Sequence, residues 1–214
     1  MPKKNSSADP VSFRNAVLDE NSVAADPVQQ FSAWFTDAVN SGVTEPEAMF
    51  LATAGKNGIP SGRIVLLKGF DPKGFVFFTN YNSRKGLEIK GSPSVAVVFH
   101  WKEIERQVRI TGMAERIPGH ESDTYFSSRP IDSRISAMIS PQSSVIPNRI
   151  HLEAEFTSMK LRMEGKEPER PSHWGGFRII PVSIEFWQSQ PHRLHDRIQY
   201  RLENGKWIIE RLAP

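Results

Sequence analysis

Five short apolar segments follow one another in the first half of this chain, and they constrain its fold more than any other feature. Each is rich in β-branched and aromatic residues, and turn stretches such as KNGIP and DPKG separate them. The pattern predicts strands at 49–53, 62–68, 75–79, 94–101 and 106–115. Short strands in hairpin-like succession are typical of a mostly antiparallel barrel or sandwich. The stretch 174–200 and a segment at 207–211 supply the last strands.

Helices are predicted around this sheet. Asp26 followed by Pro27 is typical of an N-cap and a first helical residue. Apolar residues then recur at helical spacing up to Gly42, which indicates an amphipathic helix whose aromatic stripe faces the core: Phe31, Trp34, Phe35 and Val39. Further helical segments are predicted near 83–90, 119–128, 132–140 and 148–164. The predicted fold class is therefore mostly β with peripheral helices.

The length of the chain favours one domain. A chain of 214 residues can bury roughly 70% of its unfolded surface, and no repeat or low-complexity linker divides it. Residues 1–25 are polar and lack periodicity, so we expect a disordered N-terminal segment. Residues 26–214 are then expected to form a single domain.

Composition excludes several partners. The 27 basic residues are scattered among 24 acidic ones without a run of five like charges, so we expect no nucleic-acid partner. A nucleic-acid-binding domain, the alternative that a net charge of +3 leaves open, predicts strongly salt-dependent binding to duplex DNA. The apolar runs are far shorter than the roughly 20 residues that span a bilayer, and the polar N-terminus lacks the apolar centre of a signal peptide. We expect a soluble, cytoplasmic protein with no membrane partner.

Motifs of several enzyme classes are absent. The chain has no cysteine, which excludes disulfides, thiolate catalysis and cysteine-ligated metal. It also lacks HExxH, GxSxG, GxxxxGK[ST] and a GxGxxG after a strand, which argues against zincins, α/β-hydrolases, P-loop enzymes and dinucleotide folds. We expect no metal site, and a redox cofactor must bind in some other way.

The stretch 174–200 is rich in arginine, histidine and aromatic residues. Residues 183–188 alternate as a strand does, with Ile184 and Phe186 on one face. After Pro191 breaks the pattern, basic side chains recur at a spacing of two, so an extended backbone would direct all of them to one side: Arg193, His195 and Arg197. This face is either an ordinary solvent-exposed one or a substrate wall that holds an anion and a proton-transfer group.

Two pairs of cations indicate candidate anion sites. Arg63 and Lys68 bracket a predicted strand, and their separation of five places them on opposite faces unless a bulge intervenes, so they should serve different partners. Arg84 and Lys85 begin a helix where the helix dipole favours anions, and a bound phosphate would reverse this mismatch. Strand-end charges and exposed basic residues are the alternative interpretations.

A third candidate lies at a corner between two helices. Tyr125 and Arg129 share a helical face, but Pro130 disfavours helical geometry at Arg129, so the helix should end there. A phosphate at this corner would rely on side chains and on free amides at the start of the next helix, around Asp132 and Ser133. An ordinary helix-turn-helix corner remains the alternative.

The motifs WGGFR, IEFWQ, RLHDR and a terminal RLAP closely resemble the C-terminal signature of pyridoxine (pyridoxamine) 5'-phosphate oxidases, and the similarity extends back to about residue 26. This resemblance implies an FMN-binding split β-barrel that acts as a homodimer with FMN between subunits. It implies oxidation of pyridoxine 5'-phosphate or pyridoxamine 5'-phosphate to pyridoxal 5'-phosphate, with O2 as acceptor giving H2O2 and with ammonia released from the amine. FMN has a single phosphate, so scattered basic side chains can replace a glycine-rich cradle.

The resemblance also implies the roles of individual residues. The implied FMN site comprises Arg63, Ile64, Val65, Leu66, Phe78, Thr79, Arg84, Lys85, Gln107, Gln142, Ser143, Trp187 and Arg197. The implied substrate pocket comprises Lys68, Tyr125, Arg129, Ser133, Arg193 and His195. Within it, Arg193 and His195 are the implied catalytic pair, which orient the substrate or move its proton.

The alternative within this fold is a non-catalytic or differently specific protein that binds a flavin or haem. A mere flavin binder has no reason to keep the whole substrate set, and the set is complete here. The chain departs from the family pattern at Ser189, where we expect a turn glycine, and in the N-terminal segment, which keeps Arg14 but lacks the expected Arg-x-x-Tyr of a lid.

Overall fold

The computed structural model describes residues 16–214. In this part of the chain the helices are α1 (Pro27–Asn40), α2 (Arg84–Gly91), α3 (Gly119–Ser128), α4 (Ile131–Ile139) and α5 (Arg149–Arg162). The strands are β1 (Ala48–Ala54), β2 (Pro60–Leu66), β3 (Gly69–Asp71), β4 (Gly74–Asn80), β5 (Ser94–Trp101), β6 (Arg106–Arg116), β7 (Trp174–Gln188), β8 (Asp196–Glu203) and β9 (Lys206–Arg211). Short 3₁₀ turns occur at Lys102–Ile104 and Pro191–Arg193.

The strands form one sheet in the order β2-β1-β5-β6-β7-β4-β3, with β8 paired to β7 and β9 paired to β8. The hairpins of β3 with β4 and of β8 with β9 are antiparallel, as is the pairing of β7 with both β4 and β8. In the register of β4 and β7, Asn80 lies opposite Trp174 and Phe77 opposite Phe177. The predicted fold class, mostly β with peripheral helices, is confirmed.

The chain divides into two compact units. The first comprises the described residues up to Ala48 together with Val98–Ile110 and Ser183–Pro214. Its core contains Phe31, whose ring centroid lies 5.1 Å from that of Phe99. The second comprises Met49–Val97 and Thr111–Val182, and its core contains rings such as Phe77, Tyr81, Phe126 and Phe177. The prediction that 26–214 form a single domain stays a prediction.

The helix α1 begins where the sequence predicts. The Asp26 carboxylate accepts hydrogen bonds from the amides of Val28 at 2.7 Å and Gln29 at 3.1 Å, and Pro27 occupies the first turn. These bonds satisfy amides that have no partner within the helix. No helix in the described part of the chain is long and apolar enough to cross a membrane.

The two glycines of the WGGFR motif lie in β7, where the second unit is tightly packed. A Cβ at Gly175 would lie 2.2 Å from the hydroxyl of Tyr81, and one at Gly176 would lie 2.4 Å from Cδ1 of Ile117. Neither distance is compatible with a side chain. A side chain at either position would therefore force Tyr81 or Ile117 to shift.

The N-terminal segment is described from Ala16 onward. The amides of Ser22 and Val23 donate to Asp19 O at 3.0 and 3.2 Å and form a turn. Arg14 and the altered lid pattern lie outside the described residues, as does most of the segment predicted to be disordered. Disorder over 1–25 stays a prediction.

Candidate active site

Residues from β2, β4, α2 and α3 surround a cavity of about 320 Å³ in the second unit, which we call the main cavity. It is lined by Arg63, Ile64, Val65, Leu66, Lys68, Phe78, Thr79, Lys85, Tyr125, Arg129, Gln142 and Trp174. All of these except Trp174 are among the residues that the sequence predicts. Parts of the sites inferred for cofactor and substrate therefore line the same cavity.

One end of the main cavity lies at the start of α2. Ser83 is the N-cap, and its side chain accepts from the amide of Gly86. The Lys85 ammonium donates to neutral oxygens, those of Gln142 at 2.9 Å and Thr79 at 3.2 Å, and no carboxylate within residues 16–214 forms an ion pair with it. Burial, together with the nearby Arg63, lowers the pKa of Lys85 to about 8. This end is a cationic site that would gain from an anion.

Arg63 is held against the strands behind this site. Its guanidinium donates to Thr53 at 2.5 Å and to Leu51 O at 3.2 Å, and also to Ser61, while Glu88 lies 3.4 Å away. These contacts fix the side chain and leave it on the cavity wall.

Glu88 carries the compensating charge for Arg63 and for the exposed Arg84, which contacts it at 2.8 Å. Burial raises the pKa of Glu88, but hydrogen bonds donated by Ser61, Thr53 and Arg84 lower it more, to about 2. One carboxylate thus faces three cations, because Lys85 lies beside the same cluster. The site keeps an excess of positive charge.

Lys68 does not lie where strand alternation predicts. The expectation of opposite faces for Arg63 and Lys68 is wrong, because both line the main cavity. The strand β2 ends at Leu66, and the amide of Lys68 donates to Val76 O at 2.8 Å as the chain turns into the β3–β4 hairpin. Alternation therefore stops before Lys68 is reached.

The other end of the main cavity lies at the predicted corner. The helix α3 ends at Ser128, and Arg129 has the extended geometry expected before Pro130. The Arg129 guanidinium lies 4.6 Å from the ring centroid of Trp174, and its buried NH1 has no hydrogen-bond partner. Burial lowers the pKa of Arg129, although the nearby Tyr125 opposes this shift. A buried guanidinium nitrogen without an acceptor is costly, and a ligand oxygen would satisfy it.

Aromatic rings form the wall between the two ends. The Phe78 ring stacks on Tyr125 with centroids 3.9 Å apart, and the ring planes of Tyr125 and Trp174 are nearly parallel, at 4°. Burial raises the pKa of the Tyr125 hydroxyl, which keeps it protonated and able to donate. Apolar aromatic surface together with cationic side chains in one cavity suits an aromatic ring that carries a phosphate.

Three predicted residues of the second unit line adjoining hollows. Ser133 lines one of about 290 Å³ together with Arg129 and Gln142. Its amide is not free as expected, because it donates to Pro130 O at 2.9 Å, so only its hydroxyl is available. Arg84 and Ser143 line another hollow of about 530 Å³ beside the start of α2, which Gln142 also borders.

The remaining predicted residues lie in the first unit. Trp187 in β7 pairs with Arg197 in β8, and its ring centroid lies 4.6 Å from that of His195. The Arg197 guanidinium donates to Glu185 at 2.8 Å, and this hydrogen bond raises the pKa of Arg197. Gln107 is half-buried on β6.

Arg193 is not on the strand face that the spacing predicts. Pro191–Arg193 form a 3₁₀ turn in which His192 and Arg193 have positive φ of 59° and 64°, and β8 begins only at Asp196. The expectation of one face shared by Arg193, His195 and Arg197 is therefore wrong. Ser189 has no positive φ, so serine in place of glycine strains nothing there.

The tautomer of His195 follows from one hydrogen bond. The backbone amide of Gln190 donates to Nδ1 of His195 at 3.1 Å. An imidazole that accepts at Nδ1 carries its proton on Nε2 when neutral. His195 therefore presents Nε2–H as a donor.

Sequence reasoning missed Trp174 and Asn80 as site residues. Trp174 opens the WGGFR motif and faces Asn80 across the β4–β7 ladder, so the motif itself was the available signal. Asn80 is buried, donates to Ser140 O at 3.1 Å and lines the hollow that contains Ser133.

The fold and the main cavity define a split β-barrel protein with a cationic cavity, and comparison with known proteins agrees. The structure is similar to PhzG from Burkholderia lata 383 in complex with tetrahydrophenazine-1-carboxylic acid, with a TM-score of 0.90 and 27% identity over 95% of this chain and 100% of that one. It is also similar to a pyridoxamine 5'-phosphate oxidase-related, FMN binding protein from Nostoc punctiforme, with a TM-score of 0.70 and 18% identity over 90% and 100% of the chains. The predicted split β-barrel fold is confirmed.

Sequence comparison identifies the family. Residues 35–162 match the family model described as pyridoxamine 5'-phosphate oxidase, and residues 174–214 match the pyridoxine 5'-phosphate oxidase C-terminal dimerisation region. A pyridoxine/pyridoxamine 5'-phosphate oxidase from Cupriavidus pinatubonensis is 52% identical over 198 residues, covering 92% of this chain and 93% of the relative. The chain belongs to the pyridoxine/pyridoxamine 5'-phosphate oxidase family.

Proposed function

We propose that this protein oxidises pyridoxine 5'-phosphate and pyridoxamine 5'-phosphate to pyridoxal 5'-phosphate, with FMN as cofactor and O2 as electron acceptor. H2O2 is the second product, and the amine substrate also releases ammonia. Its active form is a homodimer with FMN bound between subunits, an inference supported by the match to the family's dimerisation region. A cytoplasmic location stays a prediction from the sequence.

The observation that carries this proposal is the charge distribution of the main cavity. Lys85 at one end contacts only neutral acceptors, and Arg129 at the other has a buried nitrogen without a partner. Two separate cationic ends suit two phosphorylated molecules, a cofactor and a substrate. The residues present therefore fit FMN phosphate near Arg63, Arg84 and Lys85, and a substrate phosphate near Lys68, Arg129 and Ser133.

Bound FMN would supply the two-electron chemistry of the reaction, as acceptor of a hydride from the substrate and donor of electrons to O2. The chain contributes binding, orientation and proton handling. Arg129 and Lys68 anchor the substrate phosphate, and Phe78, Tyr125 and Trp174 provide apolar surface. His195 presents Nε2–H as a donor, and Arg193 adds a cation that orients the substrate.

The experiment is a direct assay. Purified protein loaded with FMN is incubated with pyridoxamine 5'-phosphate in air, and aldehyde product and peroxide are measured together. We expect the two in equal amounts. Flavin binding without aldehyde would favour the alternative, a non-catalytic split-barrel protein that binds flavin or haem.

The likeness to PhzG supports a second candidate, an oxidase of different specificity. That protein is described with a tricyclic carboxylic acid that has no phosphate. Removing the phosphate of the substrate distinguishes the two, because only the first candidate requires a phosphate. Pyridoxamine should be turned over far less efficiently than its 5'-phosphate, whereas equal turnover would favour the second candidate.

A further inference from the structure

Gln190 contacts the predicted catalytic histidine on one side and the N-terminal segment on the other. Its backbone amide donates to Nδ1 of His195. Its side-chain Nε2 donates to Ala16 O at 2.7 Å and to Oδ2 of Asp196 at 2.8 Å. The side-chain bonds therefore hold the residue whose amide sets the tautomer of His195.

Asp196 lies at the centre of this cluster and directly follows His195 in the chain. Its side chain is 14% exposed, and besides Gln190 it accepts the amide of Leu18 at 3.2 Å and pairs with Arg211 at 2.7 Å. Arg211 donates onward to Leu18 O at 2.9 Å and pairs with Glu20 at 2.6 Å. Charge-assisted bonds of this kind fix geometry more firmly than neutral ones.

The turn 191–195 needs such support. Within it, the amide of Leu194 donates to Pro191 O at 3.2 Å, while His192 and Arg193 adopt left-handed backbone. Residues other than glycine disfavour that region, so surrounding contacts must maintain it. The bonds of Gln190 and Asp196 lie at the two ends of the turn and can do so.

We propose that Gln190 and Asp196 are positioning residues that fix the orientation and tautomer of His195, and that Ala16 and Leu18 clamp them in place. The inference rests on the proposed function, because that function assigns His195 to the substrate. It adds a role for the N-terminal segment that operates through the turn, without contact with the reacting atoms.

Gln190→Ala is the main test, because it removes both side-chain bonds and keeps the backbone amide. We expect kcat with pyridoxamine 5'-phosphate to fall about tenfold, since a small misplacement of a reacting group is costly, while KM and the Kd for FMN change little. The kcat of Gln190→Glu should fall further, because this change places a second carboxylate against that of Asp196. Glu20→Gln is the matched control: it loosens only the outer ion pair and should keep wild-type kcat.

A second readout needs no turnover. Nitrogen-15 NMR of the histidine rings, with His195 assigned by its absence in His195→Leu, should show the Nε2–H tautomer as the major neutral form in wild type and in Glu20→Gln. Gln190→Ala should show a mixture of tautomers. An unchanged His195 spectrum, or an unchanged kcat in Gln190→Ala, would overturn the positioning role. Wild-type protein without oxidase activity would instead overturn the proposed function, and the NMR comparison would still decide whether Gln190 orients His195.

Discussion

At the scale of single residues, Lys85 carries a charge that its surroundings disfavour. Its pKa of about 8 means that the free protein loses this charge as the pH rises through that value, whereas a phosphate monoester is already largely a dianion above its second pKa of about 6. The Kd for FMN should therefore rise with pH, by up to about tenfold per unit above the pKa of Lys85. Fluorescence titration of the apoprotein measures it.

Two controls isolate this lysine. Lys85→Arg keeps a charge that does not titrate, so its FMN affinity should lose the pH dependence. Riboflavin, which has no phosphate, should bind wild-type protein with little change over the same range. An equal pH dependence for riboflavin would show that the lysine is not the cause.

Arg129 tests the other end of the main cavity. Arg129→Ala should raise KM for pyridoxamine 5'-phosphate by about tenfold to a hundredfold, because a charge-assisted bond to phosphate contributes roughly 1.5–3 kcal/mol. The Kd for FMN should stay unchanged. Arg149→Ala, which removes an exposed arginine of α5 paired with Glu153, is the matched control and should behave as wild type. Equal loss of FMN in Arg129→Ala and Lys85→Ala would refute the assignment of two phosphate sites.

At the scale of elements, the start of α1 depends on its cap. Asp26→Ala leaves the amides of Val28 and Gln29 without their acceptor, so the free energy of unfolding should fall by about 1 kcal/mol. Urea denaturation measures the change. Asp26→Asn retains a capping oxygen, so its free energy of unfolding should fall much less. An equal fall in both variants would mean that the negative charge of Asp26, and not its capping hydrogen bonds, stabilises the helix.

The 191–195 turn and β8 should have different effects on the cofactor. Arg193→Leu and His195→Leu should fold and retain FMN while kcat/KM falls, by about a hundredfold or more for Arg193. Arg197→Leu should lower FMN affinity as well as rate, although it leaves Glu185 paired with Arg109 at 3.1 Å. Flavin dissociation constants and steady-state kinetics of the three variants measure this. Near-wild-type turnover of both Arg193→Leu and His195→Leu would mean that these two residues are ordinary solvent-exposed residues without a role in catalysis.

Local signals were enough to predict most elements. The capping residue Asp26 predicted the start of α1, and Pro130 predicted the end of α3. Alternation of apolar residues predicted β5. Each of these signals depends only on near neighbours in the chain. The strand β2 was placed two residues late, and β3 was missed. Both errors arose where pairing, and not the apolar pattern, determines where a strand begins and ends: β2 pairs with β1, and the three residues of β3 pair with β4.

The residues of the candidate site were likewise predicted in part. The family resemblance predicted most residues of the main cavity, because the similarity extends back from the C-terminal motifs to about residue 26. It could not predict the left-handed backbone at Arg193, the unpartnered nitrogen of Arg129 or the bond from Gln190 to His195. The Arg129 nitrogen and the Gln190–His195 bond depend on how residues from different elements pack together. The backbone of Arg193 depends on the turn in which it lies.

At the scale of the whole molecule, we expect FMN binding to depend on formation of the homodimer. Denatured protein should release FMN and no FAD, because the cations near α2 match one terminal phosphate. Light scattering should give twice the mass of one chain. If FMN lies between subunits, dilution that dissociates the dimer should also release flavin, and chromatography with fluorescence detection measures both. Recovery of FAD, or a flavin-loaded monomer, would contradict this assembly.

The glycine pair of β7 changes what the WGGFR signature can tell a reader of other sequences. A side chain at Gly175 or Gly176 would collide with Tyr81 or Ile117 unless that neighbour moved. The two glycines thus report close packing of β7 against Tyr81 and Ile117, which is a property separate from the chemistry of the main cavity. The presence of WGG in another sequence therefore indicates this close packing and does not by itself indicate an oxidase activity.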